Sequence, residues 1–207
     1  MDVERGIETH PAMVRRMTTS GEAERHLGRF SSEHPHERDR ALTWLLEHAD
    51  ESRPALVELV RAAAPSAATR AALHVLGRMG HEPDVALLAD VLARGDRSLT
   101  WDAAQALALH GAPAAMTALL ENLRHADIDV GGAAAVALGV RGDERARPDL
   151  EALLDHPSET VRYRAVHALK RLGARPSAAR LAARYATEPS EQVRRLIAEV
   201  TRPVDPR

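Results

Sequence analysis

The stretch Pro157–Gly173, PSETVRYRAVHALKRLG, decides the fold, because much of the chain consists of weaker copies of it. Ser158 stands at a helix N-cap position, where a hydroxyl accepts a bond from an N–H of the first turn. Val161, Ala165, Ala168, Leu169 and Leu172 follow at three- and four-residue spacing, the apolar stripe of an amphipathic helix. Gly173 closes the stretch with the residue best suited to the left-handed conformation that ends a helix. Gly80, Gly111, Gly142 and Gly173 are each 31 residues from the last. Ala72, Ala103, Ala134 and Ala165 stand eight residues before them, and Leu76, Leu107, Leu138 and Leu169 four before. Asp96, Asp127 and Ser158 repeat the cap. A fixed internal period of this length marks a repeat protein.

Outward from that stretch, the other halves of the units follow the same interval. Pro83–Ala93, Pro113–Leu123, Ala146–Leu154 and Ser177–Tyr185 read as the first helices, with Leu88, Leu119, Leu150 and Leu181 as their core column. Arg94, His125 and His156 end them, where a cationic group meets the negative end of the helix dipole. His36–Ala49 aligns as an earlier copy, with Ala41 and Leu45 on the core columns and Pro54–Ala63 as its companion. Glu191–Thr201 fits after a one-residue insertion, and Pro203 and Pro206 stop the pattern. Residues 1–30 read as an N-terminal arm, with a short helix near Ala12–Met17 and a capping helix over Glu22–Phe30. The repeat array spans 31–203, and 204–207 form a tail.

Composition sets the packing chemistry. Aromatics make up 2 % of the 207 residues, so the core is built from Ala, Leu and Val through close helix contacts. With 28 Lys and Arg against 30 Asp and Glu, the net charge of −2 gives no general attraction for nucleic acid or an anionic membrane. Cysteine is absent, which excludes disulfides, thiolate metal sites and cysteine nucleophiles. Neither a signal-peptide run nor the roughly 20 apolar residues of a membrane span is present. A cytoplasmic protein is expected, with bacterial origin suggested by the Ala- and Arg-rich usage.

Gly142–Asp155, GDERARPDLEALLD, and Val161–Gly173, VRYRAVHALKRLG, resemble the short HEAT-like repeats first associated with phycobilisome lyases. Ankyrin repeats of similar length need a Thr-Pro-Leu-His turn, and tetratricopeptide repeats need large aromatics; neither is found. The resemblance covers about Ser32 to Arg202. It implies an all-α, right-handed α-solenoid of five to six HEAT-like helix pairs, with the glycine-ending helices lining the concave face. Relatives of this kind include chromophore lyases, scaffolds, metal-centre maturation proteins and a branch of DNA glycosylases. The repeat motif itself therefore encodes stacking, not function.

On the concave face the exposed columns are expected ten, six and three residues before each glycine. Position ten reads Asp39, Arg70, Trp101, Gly132, Tyr163 and Arg195; position six reads Thr43, His74, Gln105, Val136, His167 and Glu199; position three reads Leu46, Gly77, Ala108, Gly139 and Lys170. Trp101 and Tyr163 fall on either side of Gly131-Gly132, which suggests two aromatics walling a hollow with a glycine floor. Each helical glycine costs about 1 kcal/mol relative to Ala, so a ligand or a bulky neighbour is expected there. Candidate binding residues are Trp101, Tyr163, Gly132, Arg70, His74, Gln105, His167 and Lys170, with the aromatics as anchors.

Catalytic and metal readings are weaker. His74 and His167 lie several repeats apart and cannot share a metal. His34-Pro35-His36 with Glu33 and Glu37 lacks further ligands. The pairs Arg38/Arg40, Arg162/Arg164 and Arg194/Arg195 read as bridges to acidic neighbours along the array. A glycosylase-like site would use Trp101 and Asp102 in a groove with Arg70, Lys170 and Arg195. Adjacent helical residues point about 100° apart, however, and no dense basic stripe accompanies them. A lyase acting on a bound small molecule would need an acid–base set that is not assembled. No phosphate loop or nucleophile elbow is present. The expected function is non-enzymatic binding of a protein or peptide partner by an adaptor without a cofactor; the sequence leaves partner, pathway and oligomeric state open.

Overall fold

A computed structural model describes residues 21–29, 32–62 and 64–202. The expected arm helix near Ala12–Met17 and the tail lie outside these residues. The described residues are helical or in connecting turns, without a strand. Helix α1 covers 21–28, followed by α2 (Pro35–Glu47), α3 (Ala49–Ala62), α4 (Ala67–Met79), α5 (Asp84–Ala93) and α6 (Thr100–Leu109). Then come α7 (Pro113–Asn122), α8 (Ile128–Arg141), α9 (Arg147–Ala152), α10 (Glu159–Leu172), α11 (Ala178–Thr187) and α12 (Glu191–Thr201). The fold is all-α, and α5/α6, α7/α8, α9/α10 and α11/α12 stack as the helix pairs of a solenoid. Contacts divide the chain into two units, residues 1–75 and 76–207, with the boundary inside α4.

Both periodic columns are core. Ala72, Ala103, Ala134, Ala165 and their Leu partners Leu76, Leu107, Leu138 and Leu169 are fully buried. Leu88, Leu119, Leu150 and Leu181 match them on the companion helices. In the second unit α6, α8, α10 and α12 pack in succession, and each lies against its companion: α5 on α6, α7 on α8, α9 on α10, α11 on α12. Helix α12 spans the expected residues. The first helices differ: α9 is short, flanked by 3₁₀ turns at Glu144–Ala146 and Leu153–Asp155. Helix α3 begins at Ala49, so Pro54 stands inside it. Its missing N–H leaves the carbonyl of exposed Asp50 to water.

The ends of the helices depart most from expectation. Gly80, Gly142 and Gly173 have positive φ, as their cap role demands. Gly111 does not; α6 ends earlier, at extended His110. That imidazole is fully buried, donates from Nε2 to the His81 carbonyl (3.0 Å) and accepts the Ala112 N–H at Nδ1 (3.2 Å). Ser158 holds the N-cap position of α10, but its hydroxyl makes no cap bond; its N–H instead donates to His156 Nδ1 (3.0 Å). His125 accepts the Asp127 N–H in the same way (3.0 Å). These histidines therefore shape the turns between helices as hydrogen-bond acceptors. Asp127 and Ser190 do cap, accepting from Asp129 N and Val193 N.

A buried ion pair ties α10 to the turn between α11 and α12. Glu188 is 2 % exposed and accepts from Arg162 Nε (2.8 Å) and Nη2 (2.7 Å), from Arg184 Nε (2.7 Å) and from Ser190 N (2.9 Å). Burial alone would raise the carboxyl pKa from 4.5, but these donors prevail and hold it at about 2. A depressed carboxylate stabilises the fold fully above its unfolded pKa and loses that contribution as pH falls through the folded one. Glu188→Gln leaves Arg162 buried without its counter-charge, which costs about 3–5 kcal/mol near pH 7. The expected result is a thermal midpoint well below wild type at pH 7, with the gap closing between pH 4.5 and about 2. A gap that stays constant across that window contradicts the assignment.

Candidate functional site

The residues singled out on the glycine-ending helices do not form one hollow. Trp101, in the first turn of α6, is 37 % exposed. The guanidinium of Arg164, from α10, lies over its ring at 5.0 Å from the centroid, a cation–π contact of about 0.5–1 kcal/mol at a partly exposed site. Arg164 reaches there across α8, donating to the Ile128 carbonyl (2.9 Å) and to Asp129 Oδ1 (3.1 Å). Gly132 is the floor under this arginine: a Cβ there would stand 1.9 Å from Arg164 Nη1. The glycine is thus buried, and the space expected for a ligand is filled by the chain's own side chain. Ile128, whose carbonyl accepts from the same arginine, has a 44 % exposed side chain.

Tyr163 precedes Arg164 on α10 and serves the other side. It shares with Glu191, Gln192, Arg195, Leu196 and Glu199 of α12 a cavity of about 420 Å³. Lys170 bonds Glu199 (2.6 Å), and Arg195 bonds Glu191. The Lys170 ammonium holds the Glu199 carboxyl below its ordinary pKa. Gln105 and His167, on α6 and α10, are half-buried in the same unit, whereas Arg70 and His74 sit one turn apart on α4 in the first unit.

Position three is not exposed as expected. Gly77, Ala108 and Gly139 are buried, and a Cβ at Gly139 would be 2.8 Å from Ala168 Cα. At these three positions the column marks where helix backbones meet, while Leu46 is half-buried and Lys170 exposed. Gly131 likewise faces the Leu123 carbonyl, 3.0 Å from an added Cβ, so the glycine pair serves two neighbours.

A family model of HEAT repeats matches residues 116–202, the part that contains α8, α10 and their companions. Residues 116–202 therefore carry HEAT repeats. Among solved structures, this chain is similar to the complex of CpcE and CpcF of phycocyanin lyase from Nostoc sp. PCC7120. Identity is 22 % and the TM-score 0.48, over 86 % of this chain and 75 % of that one. No curated protein matches it.

Sequence reasoning missed the arginines that link neighbouring HEAT-like units. Arg141 donates to the His110 carbonyl (2.5 Å) at the end of α6. Arg147 donates to the Leu172 (3.2 Å) and Gly173 (3.0 Å) carbonyls at the end of α10. Each cation satisfies carbonyls that a helix end leaves unpaired. Neither residue repeats at the 31-residue interval, so the period gave no signal for them. For Arg164 a signal existed: Gly132 breaks a bulky column at the one step that an arginine crosses.

A Cβ at Gly132 meets Arg164 at Cδ (2.4 Å) as well as at Nη1 (1.9 Å), so in Gly132→Ala the arginine leaves Trp101, Asp129 and the Ile128 carbonyl. We expect the gain of about 1 kcal/mol for helix α8 to be offset by these lost contacts, leaving stability within about 1 kcal/mol of wild type. We also expect a red-shifted Trp101 emission as Arg164 leaves the ring. The measurement is made in a Trp44→Phe background, since Trp44 is the other tryptophan. An unshifted spectrum shows that Arg164 does not cover Trp101.

Proposed function

We propose that the protein is a non-enzymatic binding scaffold, with 31–203 as its repeat array, that captures a protein or peptide segment on the face formed by α6, α8, α10 and α12. The observation that carries this reading is the exposed indole of Trp101 held under the Arg164 guanidinium on a chain with few aromatics. A large aromatic held flat by a cation at no further entropic cost is a preorganised anchor. Tyr163, 62 residues along the same column, is the second anchor, with Gln105, His167 and Lys170 setting polar specificity. Arg70 and His74, which belong to the first unit, are left out of this set.

The charges on this face argue against nucleic acid as the partner. Arg164 is paired with Asp129, Arg195 with Glu191 and Lys170 with Glu199. In these three pairs carboxylates balance cations one for one, so they present no net positive field to a phosphate backbone.

The test is affinity capture from a lysate of the source organism, wild type beside Trp101→Ala, with and without nuclease. A specific protein retained by wild type, lost with the variant and indifferent to nuclease is expected, with the variant's helicity and thermal midpoint within a few degrees of wild type. Recovery of nucleic acid that falls away as salt rises overturns the reading, and a collapse in variant stability shows that Trp101 is core.

A further inference from the structure

We propose that the cavity beside Tyr163 takes a guanidinium group, the side chain of an arginine in the captured segment. The inference rests on the peptide-binding reading above and names what one of its two subsites recognises.

The chain itself contains the chemistry one step earlier. Trp101 carries a guanidinium on its face, and that guanidinium is bonded to Asp129 near the start of α8, the next helix in the layer. Tyr163 occupies the column of Trp101, and Glu191 opens α12, the next helix after Tyr163. Aromatic, following helix and leading carboxylate recur in the same order. The difference lies on the floor. Over α8 the arginine comes from within the chain and lies on Gly132. Over α12 the same column carries Arg195, which turns to Glu191, and a cavity of about 420 Å³ opens between Tyr163 and the helix.

The lining fits the group. Tyr163 lines the cavity, and a planar guanidinium stacks on an aromatic ring. Leu196 offers an apolar wall for the methylene stem. Glu191 and Glu199, two turns apart on α12, supply carboxylates at both ends, and the charged lining residues Glu191, Arg195 and Glu199 sum to a net negative charge. Both carboxylates are engaged, Glu191 by Arg195 and Glu199 by Lys170, but the members of these pairs are 45–79 % exposed. Exposed pairs of this kind are weak and exchange readily. A ligand arginine that stacks on Tyr163 while bonding Glu191 replaces a solvated contact with a bidentate one. Ammonium groups satisfy the charge but not the stacking or the fork geometry, which sets arginine above lysine.

The experiment titrates the full chain with Nα-acetyl-arginine amide, followed by NMR of the Tyr163 ring and the α12 amides. Nα-acetyl-lysine amide and the neutral isostere Nα-acetyl-citrulline amide serve as comparisons. Saturable shifts at Tyr163 and Glu191 are expected at millimolar arginine amide, weaker with lysine and absent with citrulline. Glu191→Gln is expected to weaken binding about tenfold, without change in helicity or thermal midpoint. Equal response to citrulline, absence of saturable shifts at Tyr163, or an unchanged affinity in Glu191→Gln overturns the proposal. Protein capture that Trp101→Ala abolishes but that neither Glu191→Gln nor excess arginine amide affects sinks the guanidinium site alone. Absence of any captured protein counts against the parent reading, while the arginine titration is judged on its own.

Discussion

Helix backbones in this array meet where no side chain fits. A Cβ on Gly77 would lie 2.5 Å from the Ala106 carbonyl oxygen, and one on Gly139 would lie 2.8 Å from Ala168 Cα. Both contacts join residues 29 apart, and the same offset picks out Ala108 and Ala137, both buried. Close approach lets a core of Ala, Leu and Val reach native density without aromatics. It also fixes the register of each helix against the next, since sliding by a turn drives a larger residue into the contact. The last step breaks the rule: at this offset α10 and α12 present Lys170 and Glu199, joined as a salt bridge. Beside that polar pair the Tyr163 cavity opens.

That register places the functional candidates. With α6, α8 and α10 held close, an arginine on α10 is long enough to cross α8 and reach Trp101, provided that α8 carries nothing larger than hydrogen at Gly132. The arrangement turns an exposed indole into a fixed platform. It also separates the two anchors, for Tyr163 and Arg164 are adjacent in a helix and diverge by about 100°. One faces α12 while the other runs back over α8.

The core was legible in the sequence because two periods agree there, the helical one and the 31-residue one. Ala72 to Ala165 and Leu76 to Leu169 obey both, and all are buried. Helix ends were less legible. A left-handed glycine at Gly80, Gly142 or Gly173 is a local property, but His110 supplants Gly111 because its ring finds the His81 carbonyl 29 residues away. Gly95, outside the period, takes a positive φ unannounced. The site was the least legible part. Gly132 was rightly suspected of having a reason, yet the reason is a side chain 32 residues on, and position three proved to be a crossing point instead of a surface.

The central claim is that backbone contact through small residues holds the array together, and Gly139→Ala measured beside Gly111→Ala tests it most directly. At Gly139 the obstructing atoms are Ala168 backbone, which cannot step aside; at Gly111 nothing lies within 4 Å and φ is not positive. Denaturant unfolding is predicted to show Gly139→Ala less stable by about 1–3 kcal/mol. Gly111→Ala is predicted to be neutral or more stable by up to about 1 kcal/mol. Equal effects at the two positions contradict the account.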